Sequence, residues 1–564
     1  MKRRAGVAGA AAGWVAAGLF LCGTPGFASE GETRGAGAAD DVILRAMAEE
    51  LTREQAQLVL PGMQRPYYIE YRLEDFATFE AVANYGALTR DEEGHQRVVR
   101  VVVRIGDYTT DSSSSRGEGS LSLAPTDNSA QAIRYVLWTA TDEAYKNALR
   151  AYSAKQAALK RFESAPEQAD FAQAKPAQYV GRVATLAIDR PEWKRRIVEA
   201  SGLFLTDPRV SGFAADVQYS TASVRGLAVN RYLVNTEGTR VHQGYTGYQA
   251  SASVGGQAPD GMRLSRDNGT TAATAGELES AAAFRQRMLD DLMSFEALRK
   301  APVVSADDYH GPVLFSGDAA SDVINRLFVS NVEANRPEMG TTARTTGAYA
   351  SSFRARVLPE FVSVVDDPAL ASFGGRTLLG SYAIDDEGVP AQAVPLVTDG
   401  KLENYLVGRT PIRDFAVSNG HGRAAVGQAP HARAGVMVLT SKNPMSADAM
   451  RARLLQMAKE QGKDVYAVET LGGPLAPRLL YLVHPDGSRE LVRGAAFDEL
   501  DIRSLRSEIL AVGDDPFVAN VLGAVPTTTI VPSLLFGDIG VKRATAEQGK
   551  LPYYPPPPVA VPVK

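Results

Sequence analysis

Three observations predict an α+β chain of two domains. Alternation marks strands in the first half: Tyr67, Ile69, Tyr71 and Leu73 point one way and Tyr68, Glu70 and Arg72 the other, while Val99, Val101, Val103 and Ile105 oppose Arg100 and Arg104. Helical spacing marks residues 126–162 (Ile133, Leu137, Ala140, Ala144, Ala148) and 277–300 (Ala281, Phe284, Met288, Leu292, Phe295). At 564 residues the chain also exceeds what one core can organise. The expected architecture is an N-terminal α/β domain, 67–300, with a mostly antiparallel sheet and long helices, then a C-terminal strand-rich, barrel- or sandwich-like domain, 301–550. The polar face of the first sheet is expected to be the wetter one.

Composition narrows the function. Hydrophobic residues make up 45% and charged residues 22%, an ordinary globular balance. A net charge of −5 and a pI near 5.9 lack the concentrated basic surface that nucleic acid requires, so DNA binding is disfavoured.

Lys2-Arg3-Arg4, the apolar run to Cys22 and the small-residue stretch ending at Ala28 read as a signal peptide, 1–28. Leu21 stands where a small residue precedes a lipidated cysteine, and Arg3-Arg4 leaves both Sec and twin-arginine export open. Later segments lack the ~18 uncharged residues of a membrane span. The expectation is an exported protein, periplasmic or secreted, with no membrane span. Cys22 is the one cysteine, so the mature chain offers neither disulfides nor thiolate ligands.

A spacer and helix fill 29–66, with Asp40-Asp41 opening the helix and Ile43, Met47 and Leu51 on one face. Trp138 and Tyr145 on the long helix read as core. Residues 191–200 form a short helix, 210–262 alternate again around a Gly/Ser-rich break, and His242 reads as a surface or hydrogen-bonded core residue. The turn-rich segment 301–311 separates the domains.

In the second domain, 313–315 read as a strand and 319–331 as a helix. Ser446 caps a helix at 447–461 that Gly462 ends. Strands follow at 465–470 and 479–494, with His484 beside a turn. Residues 551–564 form a Pro-rich tail, in which Pro555 to Pro558 favour polyproline II.

The most informative stretch is 380–409, GSYAIDDEGVPAQAVPLVTDGKLENYLVGR. It reads as extended segments at 381–384, 391–397 and 401–407, with Asp399-Gly400 as a tight turn. Asp385, Asp386 and Glu387 before Gly388 suit a cation or a peptide amine, although such clusters are more often solvated turns. Ser418-Asn-Gly-His-Gly-Arg423 is a glycine-flanked loop whose His421 and Arg423 suit a peptide backbone or carboxylate, although a structural loop is the commoner reading. These five residues are the candidate peptide- or partner-binding residues.

The DDEG loop, the hydrophobic strand after it, the Asp-Gly turn and the YL…R strand resemble the TldD/PmbA family, and the resemblance extends more weakly over 67–541. It implies two-domain proteins that pair as a TldD-type subunit, whose HExxxH helix holds zinc, and a TldE/PmbA-type subunit without one. Ile324, Asn325 and Val329 stand at the three motif positions here. Neither Ile nor Val has a lone pair to donate, and an amide cannot shuttle a proton at neutral pH.

The resemblance therefore implies a non-catalytic, TldE-like subunit that forms a homo- or heterodimer, the latter with a HExxxH-bearing partner. Unfolded peptide is the implied substrate, and no cofactor is expected unless zinc arrives through that partner. Two alternatives stay open: a metallopeptidase with a relocated site using His421, His431 and the acids 385–387, and a stand-alone exported binding protein. Nucleophile-elbow, P-loop and dinucleotide motifs are missing.

Overall fold

The computed structural model describes residues 41–113, 119–160, 168–305, 308–337, 343–545, 549–554 and 556–557. The expected leader, most of the spacer and the end of the tail lie outside them. The first sheet is built on two long hairpins. Strands β1 (Tyr68–Asn84) and β2 (Ala87–Arg104) turn at Tyr85 and Gly86, whose φ values of 53° and 83° give the left-handed pair that matches strand twist. Next in the chain come β3 (Ser120–Leu123), β4 (Gln178–Val180), β5 (Val217–Asn235), β6 (Arg240–Gln257) and β7 (Arg263–Ala272). Their order is β3-β2-β1-β5-β6-β4, with β7 also on β6; β4 pairs in parallel and every other neighbour is antiparallel.

The helices cover one face in two separate groups. Helices α1 (Val42–Gln57) and α2 (Ala130–Leu159) seat Met47, Ile133, Leu137 and Tyr145 on Tyr71, Leu73, Val99 and Val101. Helices α3 (Arg190–Ser201), α4 (Leu203–Thr206) and α5 (Ala281–Lys300) seat Trp193, Ile197, Phe284, Met288 and Phe295 on Phe79, Val224 and Val254. Trp138 departs from the core reading: it is 43% exposed beside Tyr135, because its position on α2 faces away from the sheet. Among the described residues no helix is long and apolar enough to cross a membrane.

Among the described residues the second domain holds two larger sheets and no closed barrel. One runs Lys401–Leu402, Val394–Thr398, Val362–Asp366, Val436–Ser441, Thr527–Val531, Phe517–Val521. The other runs Arg489–Val492, Ala476–Val483, Val465–Gly472, Tyr309–Phe315, Leu534–Arg543, Ala495–Asp498. Phe315, Val323, Phe328, Leu396, Leu439 and Phe536 share the core between them. The helix at 447–461 forms with Ser446 accepting from the Ala449 amide at 3.2 Å and Gly462 left-handed at φ 62°. The 380–409 stretch is less regular than its pattern suggests. Only Val394–Thr398 and Lys401–Leu402 are strands there, joined through Asp399 and Gly400 at φ 51° and 76°, while 381–384 follows an irregular path.

The polar face of the first sheet is buried rather than wet. Glu70, Arg72 and Glu74 are 6%, 1% and 0% exposed, because that face is covered by the second domain.

Packing on the helical face sets an expectation for stability. Phe284→Ala should lower the unfolding free energy by about 3–5 kcal/mol through lost burial and a cavity. Trp138→Ala should change it by less than about 0.5 kcal/mol. Denaturant titration of the two variants checks the pair.

Candidate functional site

The sheet's charged face and the second domain meet in a buried polar seam. Glu74 and Arg231 are cross-strand neighbours whose ion pair, 2.7 Å long, is closed to solvent. Two charges taken out of water cost several kcal/mol each unless further partners complete their shells. The second domain supplies those partners. Arg231 donates to Asp386 and, at 3.2 Å, to the Ala424 carbonyl, while the Gly427 amide donates to Glu74. Arg72 and Arg100 face each other across β1 and β2, a repulsive placement. The carbonyls of Gln428 and Gly427 accept from them.

The acidic loop lies within this seam and is not a solvated turn. Asp385, Asp386 and Glu387 are 1%, 1% and 9% exposed. Asp385 accepts from the amides of Glu387 at 3.0 Å, Val389 at 2.8 Å and Gly422 at 2.8 Å, which ties the loop to the glycine-flanked segment. Asp386 accepts from the Ala424 amide at 2.7 Å and faces Arg423 at 3.6 Å. Glu387 accepts from the Arg409 amide at 2.5 Å. It fits because Gly408 and Gly422 lack side chains: a Cβ at either would fall 2.5 Å or 2.0 Å from its carboxylate oxygen.

Environment pushes these carboxyls apart. Burial raises Asp385 well above the usual range, and the nearby Glu387 adds to this. Burial also lifts Glu387, to about 7, with Glu70 reinforcing and Arg409 opposing. For Asp386 burial acts upward too, but Arg231, Arg423 and Arg72 outweigh it and hold the group below its ordinary value.

His421, fully buried, contacts Asp366 at 3.2 Å through Nε2 and the Asn419 carbonyl at 3.0 Å through Nδ1. Arg423 lies 4.0 Å over the Tyr382 ring. His431 is exposed, so the relocated arrangement of two histidines with the acids 385–387 is not assembled. Among the described residues no three His, Cys, Asp or Glu side chains converge as a ligand set.

Sequence reasoning missed the basic half of the seam. Arg409 is fully buried, donating to Glu237 at 2.7 Å and to the Ala172 carbonyl at 2.8 Å under the Phe171 ring. The available signal was a run of charges, Glu70, Arg72 and Glu74, on one face of an otherwise apolar strand.

Residues 308–543 match the family model described as the PmbA/TldA metallopeptidase C-terminal domain. The second domain is thus similar to the C-terminal domain of the TldD/PmbA family. An Archaeoglobus fulgidus protein named a metalloprotease is 28% identical over 112 residues, which are 20% of this chain and 24% of that relative. The chain thus spans about a quarter of that relative's length. Among solved structures, TldE from Thermococcus kodakarensis is similar with a TM-score of 0.56 and 13% identity, covering 88% of this chain and 99% of its own. A Thermotoga maritima protein described as a proposed modulator of a DNA gyrase gives 0.58 at 17%, over 88% and 99%. At these identities the likeness is one of fold.

The positions where the resemblance leads one to expect HExxxH lie on α6 (Gly317–Ile324) and the wider π-turn after it, Asn325–Val329. Ile324 is core at 1% exposed, Asn325 accepts from the Thr529 hydroxyl at 2.7 Å, and Val329 packs at the core's edge. Two alkyl groups and an amide already engaged with a neighbouring strand do not fit a zinc ion, so no chemistry is derived through one.

Two measurements probe the seam. Arg231→Met should cost about 3–5 kcal/mol by leaving Glu74 and Asp386 buried without a counter-charge. Replacing all three together (Glu74→Leu, Arg231→Met, Asp386→Asn) should cost less than that single change, which chemical denaturation resolves. The second is a pH profile. Because the folded pKa of Glu387 lies above its unfolded value, the folded state holds the proton longer, and stability should fall as pH rises from about 4.5 to 7. Glu387→Gln should remove up to roughly 1.4 kcal/mol per pH unit of that slope in denaturation series across the window.

Proposed function

We propose that this chain is an exported, non-catalytic, TldE-like subunit that pairs with a HExxxH-bearing partner and helps it hold unfolded peptides for cleavage. One observation carries the reading: a family fold is retained while Ile324, Asn325 and Val329, at the metal-binding positions, serve packing and a structural hydrogen bond. Zinc then enters through the partner alone. Export rests on the segment ending at Ala28.

The buried seam changes what the five candidate residues do in this scheme. Asp385, Asp386, Glu387, His421 and Arg423 are engaged within the chain, so they support peptide or partner binding by fixing the joint between the domains. Direct contact with a peptide would require that joint to open.

Co-expression with a secreted TldD-like protein tests the reading. Mature chains, starting at Ser29, should co-elute with the partner on size exclusion, and cleavage of unfolded peptide should appear only in the mixture. Chelator-sensitive cleavage by the isolated chain would defeat the proposal, and so would failure to pair with any such partner.

A further inference from the structure

Charge in the seam is unevenly divided. In one half, four carboxyls share one guanidinium. Arg409 donates through Nη2 to Glu237 at 2.7 Å and through its backbone amide to Glu387 at 2.5 Å. Its Nη1 donates at 3.3 Å to the Tyr68 hydroxyl, which gives its own proton to Glu70 at 2.5 Å. Asp385 lies beside Glu387 and is held by amides alone. Arg104 is near, but it is already paired with Asp111 at 2.8 Å. All four acidic side chains are closed to solvent.

The other half has the opposite imbalance. Arg72, Arg231 and Arg423 converge on Glu74 and Asp386, with Arg100 across the strands from Arg72. Nε and Nη1 of Arg72 and Nη1 of Arg423 have no hydrogen-bond partner among the described residues.

A buried group without a counter-charge is tolerated best when it gives up its own charge. A guanidinium cannot do so, whereas a carboxyl can. The acidic half therefore keeps protons: burial raises Asp385 well above the usual range and lifts Glu387 to about 7. Asp386, held down by its arginines, stays ionised through the same window. The Tyr68 and Tyr382 hydroxyls that face these acids are pushed up by burial and keep their protons.

We infer that the joint between the two domains is a proton-controlled gate: it is closed while the acidic half carries its protons, and ionisation of Glu387 parts residues 385–388 and 408–409 from the first sheet with each domain still folded. Opening uncovers the charged face of the sheet, which direct contact with a peptide requires. The inference concerns the joint alone and does not rest on the pairing scheme. Its sign follows from linkage. In the open state these carboxyls meet water and return to their ordinary range, so the closed state binds more protons and loses ground as pH rises from about 4.5 to about 7. One proton released on opening raises the open fraction about tenfold per pH unit across that window.

Hydrogen exchange of the whole mature chain from about pH 5 to about pH 8 tests this, read as protection factors so that the base-catalysed rate itself cancels. The reporting amides are Ala172, which donates to the Arg409 carbonyl at 2.8 Å, and Gly427, which donates to Glu74; both bonds cross the joint. Val101 and Leu439, buried within the two domains, serve as references. Protection at Ala172 and Gly427 should fall about tenfold per pH unit up to about pH 7 while the references hold. Glu387→Gln keeps an acceptor for the Arg409 amide but cannot ionise, and should flatten that fall. Glu70→Gln, which removes a neighbouring charge, should move it to higher pH. Constant protection at both reporting amides in the unmutated protein would overturn the inference even if a variant misfolds. Loss at Val101 and Leu439 in step with them would do the same, since that is unfolding rather than opening, and so would an unchanged slope in folded Glu387→Gln protein.

Discussion

The fold depends on neutralising charge in the dark. Glu70, Arg72 and Glu74 lie on consecutive same-face positions of a central strand, and nothing in the first domain alone completes their shells. Left in water they would make an ordinary wet sheet face. Once the second domain covers them, each unmet donor or acceptor costs on the order of 1–3 kcal/mol. The covering segments meet part of that need: Gln428, Gly427 and Asp386 serve Arg72, Glu74 and Arg231, while two Arg72 nitrogens stay without a hydrogen bond among the described residues and Glu70 is held by the Tyr68 hydroxyl of its own strand. Breaking one member is costly even where the whole network adds little net stability, because the penalty falls on the partner left behind.

This explains why short polar loops of the second domain are so constrained. Asp385 draws three amides around itself, and Glu387 needs two glycines to approach its oxygens. Gly388 turns at φ 81°, so the loop returns directly toward Val389. Geometry of this kind fixes the angle between the domains more firmly than apolar contact, since ion pairs and bidentate amides tolerate less sliding than methyl groups.

Much of the first domain was legible in the sequence because one period dominated each element. Val99, Val101 and Val103 announced a strand, and Phe284, Met288, Leu292 and Phe295 announced a helix with its inward face. The seam was legible only in part. Alternation showed that Glu70 and Arg72 share a face, but periodicity cannot say whether that face meets water or another domain. Asp385 to Glu387 misled for the same reason: an acidic run before glycine looks alike in a solvated turn and in a buried joint, and the difference lies with Arg231, more than a hundred residues away. Trp138 failed in the opposite direction, since a large aromatic on an amphipathic helix is usually inward.

Charge accounting also bears on how this chain can recognise anything. The acids and bases best placed to hold a charged ligand are paired inside the seam. Reassigning any of them to a ligand would first require breaking an existing contact, so salt-bridge recognition at these sites starts with a deficit. With its buried charges engaged between the two domains, the chain keeps backbone polar groups and shape, rather than free charge, for recognition.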